Sequence, residues 1–126
     1  MSDAKKLIEA FEGSGAAHGT TVVGRTGRNG KAESDSRVVR GALTEEKIQA
    51  HIEGKMGVGS IPITQDNMCK FGALDIDTYD LDLKALNRKV KQMKLPLIMC
   101  RSKSGGAHLY LFMKDWEPAA LVREYL

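Results

Sequence analysis

The chain contains few of the residues that build disulfide frameworks or metal clusters, and it lacks a long apolar run. Its 126 residues include two cysteines and three histidines, which are not spaced as a zinc site. Two cysteines are too few for a disulfide framework, so a reducing, cytoplasmic location is expected. No apolar run approaches the roughly 20 residues of a membrane helix, so no membrane partner is expected. The N-terminus also lacks the apolar segment of a secretory signal.

The composition that remains is typical of one ordinary globular domain. Hydrophobic residues make up 42% and charged residues 28% of the chain, which is enough for a moderate core. The net charge of +3 permits a nucleic-acid partner without requiring one. Basic residues crowd one short region, and the following five are the candidates for nucleic-acid contact: Arg25, Arg28, Lys31, Arg37 and Arg40.

The first half, residues 1–66, predicts a small α/β unit. Caps, β-branched residues and glycines predict these elements in order: a helix over 4–12, a strand over 20–25, a polar loop over 26–36, a strand over 37–42, a helix over 45–53 and a strand over 57–63.

The second half, residues 67–126, predicts the order β-α-β-β-α. Its elements are a strand over 71–77, a helix capped by Asp80 and closed by Pro96, a buried apolar strand over 97–101, a tight loop over 102–106, a strand over 107–113 and a final helix opened by Glu117-Pro118. This is the order of a ferredoxin-like or RRM-like unit without its last strand, so the fold class is α+β.

Two carboxylates leave the strand over 71–77 at alternate positions. Side chains i and i+2 of a strand point to the same face, so Asp75 and Asp77 are predicted to share one. Two negative charges on neighbouring positions of one face repel each other unless a cation lies between them. A hard divalent ion such as Mg²⁺ often binds through one or two carboxylates. A strand end that turns into solvent at Asp77 explains the pair alone equally well.

The segment Arg101-Ser-Lys-Ser-Gly-Gly-Ala-His108 connects two predicted strands. Its hydroxyls and its approachable backbone N–H groups suit a nest that binds an anion, and Arg101 can contact a phosphate through two hydrogen bonds. The alternative is a hairpin with a solvated histidine. No G-x-x-x-x-G-K-[ST] pattern is present, so the loop is not a P-loop.

Strand order joins these two stretches. The first and third strands of a β-α-β-β unit usually lie side by side, so the Asp75 strand is expected beside the His108 strand. An acid pair, a phosphate-binding loop and a histidine would then meet on one sheet face, which suggests nucleotidyl transfer from a triphosphate. Phe71 and Tyr110 alternate with apolar neighbours and are predicted to be core residues.

The ordered motifs resemble the archaeo-eukaryotic primase superfamily. Leu74-Asp-Ile-Asp77 is similar to its first motif and Ser104-Gly-Gly-Ala-His108 to its second. The closest resemblance is to the primase domains of TOTE conflict systems and related phage or plasmid primase-polymerases, because Gly59-Ser-Ile-Pro62-Ile and Lys70-Phe71 precede these motifs in the same order. No single motif is specific, but the ordered set over about residues 40–126 is.

The resemblance implies synthesis of RNA or DNA from NTP or dNTP substrates on a single-stranded DNA template and primer. Asp75 and Asp77 would bind Mg²⁺ or Mn²⁺ and, with His108, would be the catalytic residues. A helicase is a candidate partner. The nucleotide contacts, of which Arg101 and Lys103 are added on charge alone, would be Arg101, Ser102, Lys103, Ser104, Gly105, Gly106 and His108.

One feature of the superfamily has no counterpart in the sequence. A third motif, an apolar residue followed by Asp or Glu, belongs on a strand after the final helix, and the sequence reaches Leu126 inside that helix. Asp115 is a weak substitute, because it is predicted to lie past the end of the His108 strand. Three interpretations are open: the chain is a fragment of a larger polymerase, the third ligand comes from elsewhere, or the chain is inactive alone. The first is favoured, a partial primase catalytic domain, because an exposed unpaired sheet edge would otherwise be a liability.

Two other functions fit parts of the pattern. A non-catalytic RRM-like module that binds nucleic acid fits the basic charge, but it leaves Asp75 and Asp77 unexplained because carboxylates on a binding face repel phosphate. Another Asp-x-Asp metal-dependent enzyme, such as a nuclease, would explain the two carboxylates without the ordered set of motifs.

Overall fold

Two antiparallel three-stranded sheets organise the described chain. The computed structural model describes residues 1–26 and 32–126, with side chains described outside residues 23–33. The elements are α1 (Asp3–Ala10), β1 (Ala17–Thr26), β2 (Ala32–Arg40), α2 (Glu45–Ile52), β3 (Gly57–Gly59), β4 (Met68–Ile76), α3 (Leu83–Gln92), β5 (Ile98–Arg101), β6 (Ala107–Pro118) and α4 (Ala119–Tyr125). The predicted α+β class is confirmed.

The first sheet has the strand order β2-β1-β3. Hydroxyl caps begin the two helices that accompany it: Ser2 accepts from the Lys5 N–H at 3.2 Å, and Thr44 accepts from the Lys47 N–H at 3.3 Å. Such caps satisfy N–H groups that the first helical turn leaves without partners. Ala4 of α1 and Ile48 of α2 are buried, so both helices contribute to the core.

The second sheet has the strand order β4-β6-β5. The chain order β4-α3-β5-β6-α4 is the predicted RRM-like β-α-β-β-α, and the predicted pairing of its first and third strands is confirmed. α4 lies close to β4: a Cβ at Gly72 would be 2.8 Å from Leu126 Cδ1 and 2.9 Å from Val122 Cγ1. None of the helices in the described ranges has the length and apolar character to cross a membrane.

An aromatic side chain joins α1 to the second sheet. Phe11, the C-cap of α1, meets Phe71 and Phe112 edge-on, with ring centroids 5.1 and 5.2 Å apart. The hydroxyl of Ser60 donates to the Phe11 carbonyl oxygen at 2.7 Å. Phe11 thereby packs onto the sheet face opposite to the one that α4 covers, because Phe71 and Gly72 point to opposite sides of β4.

Three strand predictions were wrong. The loop predicted over 26–36 includes residues that belong to β2, because β1 supplies hydrogen-bonding partners that a polar sequence does not reveal, as in the pairing of Thr21 with Ser36. The strand predicted over 57–63 is restricted to Gly57–Gly59. β5 is mostly exposed rather than buried, because it is an edge strand that pairs only with β6 in the described sheet.

Two acidic residues also differ from prediction. Asp82 rather than Asp80 caps α3, with its carboxylate accepting from the Ala85 N–H at 3.0 Å. Asp80 lies in the preceding turn with φ of 62°. Asp115 lies within β6, not beyond it, because the strand continues past an irregularity and pairs again at Cys69–Glu117.

Candidate active site

Asp75 and His108 lie directly opposite each other on β4 and β6. Asp75 Oδ1 is 3.2 Å from His108 Nε2, and the two side chains are 59% and 38% exposed. Neighbouring antiparallel strands bring directly opposed Cβ atoms to about 5 Å, which explains why the register alone creates this contact. The pair is therefore a preformed acid–imidazole contact that a solute can reach.

The hydroxyl of Tyr110 contacts the other ring nitrogen of His108. Its hydroxyl is 3.4 Å from His108 Nδ1, and the two residues share a face because they are two positions apart on β6. Burial raises the pKa of Tyr110, with further contributions from Cys100 and Asp75, so the phenol stays protonated at neutral pH and can donate. The sequence prediction treated Tyr110 only as core, although its i+2 spacing from His108 was the available signal.

Asp77 follows the last residue of β4, Ile76, and is exposed. The predicted shared strand face therefore covers Asp75 but ends one residue before Asp77. Among the described residues no hydrogen bond or ion pair fixes the Asp77 side chain. The two carboxylates lie at the same end of β4, and the structure shows no direct link between them.

The glycine-rich loop after β5 lies against that same end of β4. A Cβ at Gly106 would collide with the backbone carbonyl of Ile76, so only glycine permits this approach. The loop is closed by the Ser102 N–H donating to the Gly106 carbonyl at 3.0 Å and the Gly105 N–H donating to the Ser102 carbonyl at 3.2 Å. Gly105 has φ of 92°, a conformation that glycine adopts at little cost.

The polar groups of this loop remain accessible. The side chains of Arg101, Lys103 and Ser104 are exposed, and that of Ser102 is half-buried. Within the described chain, the backbone N–H groups of Lys103 and Ser104 donate no backbone hydrogen bond. Free N–H groups beside cationic side chains form an arrangement that can bind an anion.

The two carboxylates fit a hard divalent cation by chemistry. Carboxylate oxygens are ligands for Mg²⁺, which commonly takes one or two of them and completes its shell with waters and substrate phosphates. No group of three or more His, Cys, Asp or Glu side chains suited to a metal occurs within residues 1–26 and 32–126. Asp75 and Asp77 could therefore supply at most part of a coordination shell.

Of the five basic residues proposed for nucleic acid, only two can be assessed. Arg28 and Lys31 lie outside the described residues, as does the side chain of Arg25. Arg40 is exposed on β2, and Arg37 is exposed with its Nη2 2.9 Å from Asp35 Oδ2. Because these two arginines are three positions apart, they point to opposite faces of the strand.

A groove of about 330 Å³ lies beside Tyr110. Aromatic side chains form one wall, and α2 and the segment after β3 contribute to the other; the lining includes Phe11, Phe71, Tyr110, His51 and Pro62. His51 Nδ1 donates to the Met56 carbonyl oxygen at 3.0 Å. The groove is thus a mostly apolar cleft, and Tyr110, which contacts His108, is one of its lining residues.

The fold and the site define an α+β domain whose RRM-like sheet carries an acid–histidine pair beside a serine- and glycine-containing loop. The family model of the TOTE conflict system archaeo-eukaryotic primase domain matches residues 22–126. The chain belongs to this family, which confirms the resemblance drawn from the motifs. Membership indicates primase-type nucleotidyl transfer at the level of the family. None of the curated proteins matches the chain.

Proposed function

We propose that this chain forms the nucleotide site of a primase or primase-polymerase, which joins NTPs or dNTPs to a 3′-hydroxyl on a single-stranded DNA template. The observation that carries the proposal is the register between β4 and β6, which sets Asp75 against His108. The loop closed against Ile76 adds a cationic anion-binding element at the same edge. Family membership supplies the reaction class.

The site residues have different proposed roles, which follow from their chemistry. Asp75 and Asp77 would hold Mg²⁺ or Mn²⁺, which supplies charge neutralisation for a triphosphate and activation of a hydroxyl nucleophile. Arg101, Lys103 and the loop N–H groups bind the phosphates. The Nε2–H of His108 donates to Asp75, so that the carboxylate keeps one orientation. The imidazole of His108 also lies next to the loop that would bind the phosphates.

The surrounding surfaces supply room for the rest of the substrates. The groove beside Tyr110 accepts the nucleoside, since its walls are apolar and aromatic. Arg37 and Arg40, exposed on β2, contact template phosphates by charge alone, a contribution that depends on salt concentration. A helicase that delivers single-stranded DNA is the proposed partner.

The first experiment measures Mn²⁺ affinity by electron paramagnetic resonance for the wild type and for Asp75→Asn combined with Asp77→Asn. Loss of both carboxylate charges removes the hard ligands, so affinity should fall at least about tenfold. Asp66→Asn is the matched control, because Asp66 is exposed in a turn outside the site. Equal affinities in the wild type and the double variant reject the metal site.

The second experiment measures Mn²⁺-dependent binding of ATP and dATP, followed by primer synthesis on single-stranded DNA. Arg101→Gln combined with Lys103→Gln should weaken nucleotide binding about tenfold, as loss of two charge-assisted contacts predicts. Lys89→Gln combined with Lys91→Gln on α3 removes the same charge elsewhere. Binding of single-stranded DNA without any nucleotide binding or synthesis supports the non-catalytic module instead.

A further inference from the structure

Phe11 inserts the end of α1 into an aromatic cluster on the sheet face that carries His108. Its ring meets Phe71, Tyr110 and Phe112 edge-on, at interplanar angles of 77°, 87° and 85°. Edge-to-face contacts of this kind stabilise one mutual orientation of the rings. The Ser60 hydrogen bond to the Phe11 carbonyl fixes the backbone from which the ring projects.

The cluster constrains Tyr110 from two sides. Phe11 contacts its ring with centroids 5.3 Å apart, and Phe112 stacks on it at 5.8 Å with an interplanar angle of 25°. The hydroxyl oxygen lies on the axis of the ring, so fixing the ring also fixes the position of this oxygen, whereas the O–H bond can still turn. The oxygen lies 3.4 Å from His108 Nδ1.

The carboxylate of Asp75 determines which nitrogen of a neutral His108 carries the proton. A carboxylate only accepts, so the proton sits on Nε2, which faces Asp75 Oδ1 at 3.2 Å. Nδ1 then presents its lone pair, and the Tyr110 hydroxyl, which can donate or accept, donates to it. The two contacts together favour one tautomer and one ring orientation, as the hydrogen bond to one imidazole nitrogen generally does for the other.

We infer that Tyr110 is a positioning residue for His108 and that Phe11 positions Tyr110. Phe11 lies before residue 22, where the family match begins, so a helix outside the matched region completes the site. The consequence for nucleotide binding rests on the proposed function, whereas the imidazole geometry does not. On this inference Phe11, at the C-terminal end of α1, is a working part of the site rather than only an addition to the core.

The direct test is long-range ¹H–¹⁵N NMR of the imidazoles at a pH where His108 is neutral. We expect the wild type to show mainly the Nε2–H tautomer, and Tyr110→Phe to lower the ratio of Nε2–H to Nδ1–H about threefold, as loss of one weak hydrogen bond predicts. Tyr125→Phe removes the hydroxyl of an exposed tyrosine on α4 and should leave the ratio unchanged. An unchanged ratio in Tyr110→Phe overturns the inference.

Phe11→Leu tests the second step while keeping an apolar side chain of similar size. It should shift the His108 tautomer ratio in the same direction as Tyr110→Phe, and the melting curve shows whether the variant is folded. If Phe11→Leu is folded and the ratio does not move, Phe11 has no positioning role. Combining Phe11→Leu with Tyr110→Phe should add no further shift, because both act through the same hydroxyl.

A double-mutant cycle connects the geometry to the site. Tyr110→Phe should weaken Mn²⁺-dependent ATP binding about threefold in the wild type and not at all in His108→Ala, because coupled residues are non-additive. Equal weakening in both backgrounds means that the hydroxyl of Tyr110 contacts the nucleotide directly, which overturns its positioning role. If ATP does not bind the wild type while the tautomer shift is present, the proposed function fails and the imidazole geometry stands.

Discussion

Each sheet holds a histidine with a partner on both ring nitrogens, and the two are used differently. His18 on β1 is 1% exposed; its Nδ1 donates to the Gly41 carbonyl at 2.7 Å, and its Nε2 accepts from Lys47 Nζ at 2.8 Å. His108 on β6 is 38% exposed, between an exposed carboxylate and a phenol. Residue type and hydrogen-bond count are the same, while burial and partner chemistry differ.

The difference teaches which histidine can work on a solute. The partners of His18 are a backbone carbonyl and a lysine that donates to it, and the ring is buried, so no face is open to a substrate. One partner of His108 is a carboxylate that is itself a candidate metal ligand, and solvent reaches both. A buried polar group that is fully bonded stabilises a fold, whereas a bonded but accessible group can exchange a partner for a ligand.

The largest effect that would sharpen this comparison is on stability. His18→Ala leaves a cavity and removes the partners of Gly41 and Lys47, so unfolding free energy should fall by about 3 kcal/mol, or roughly 10–15 °C in melting temperature. His108→Ala removes a half-exposed pair and should cost under about 1 kcal/mol. Urea unfolding of both variants measures the difference; equal losses would contradict the division into a structural and a functional histidine.

The next effect compares a glycine from each region. A Cβ at Gly13 would collide with the carbonyl of Ile61, just as one at Gly106 would with that of Ile76. Gly13→Ala and Gly106→Ala should each cost about 1–3 kcal/mol, since the backbone must shift. Gly106→Ala should weaken ATP binding more than Gly13→Ala, because it moves the loop itself from the end of β4, whereas Gly13→Ala acts only indirectly, by displacing Ser60 and Phe11.

Gly15→Ala is the control for both glycine variants, since a Cβ there meets nothing within 4 Å. It should leave stability and ATP binding close to the wild type. If Gly13→Ala weakened ATP binding as much as Gly106→Ala, the effect would be general loosening of the fold rather than displacement of the loop.

The sequence predicted the second sheet better than the first because local and topological rules are strong there. The apolar residues of the third helix recur at spacings of three and four, at Leu83, Leu86, Val90 and Met93. This pattern, the loop glycines and the β-α-β-β order predicted which strands are adjacent, and that adjacency placed Asp75 beside His108. In the first sheet, polar residues of β2 give no alternating pattern. Their strand is created by pairing with β1, which no local rule reveals.

The side-chain partners were beyond sequence analysis for the same reason. His18 bonds to Gly41 and Lys47, which are 23 and 29 positions away, and nothing in the spacing selects them among other polar residues. Phe11 reaches Tyr110 across most of the chain. By contrast, the Tyr110–His108 contact is local, because strand periodicity places residues two positions apart on the same face.

A smaller effect concerns alkaline pH. Burial raises the pKa of Tyr110, so the folded state keeps its proton when the unfolded state begins to lose it near pH 10. The unfolded state then binds fewer protons, and stability must fall as pH rises through this range. Tyr110→Phe should lose less stability between about pH 9 and 11 than the wild type, with Tyr125→Phe as control; identical pH slopes would contradict the burial effect.

The smallest effect separates the two cysteines of the second sheet. Cys69 is 4% exposed, and burial raises its pKa with a further contribution from Glu117, whereas Cys100 is exposed and lies opposite His108 on β5. Only the thiolate reacts, so a disulfide reagent at pH 8 should react quickly with Cys100 and slowly with Cys69. The fast phase should be absent in Cys100→Ser. Addition of Mn²⁺ and ATP should lower the reaction rate of Cys100, because a nucleotide bound beside His108 would cover Cys100 on the neighbouring strand. Two thiols of equal rate would mean that β4 opens as readily as the edge strand, and a fast thiol that ATP leaves unchanged would place the nucleotide away from His108.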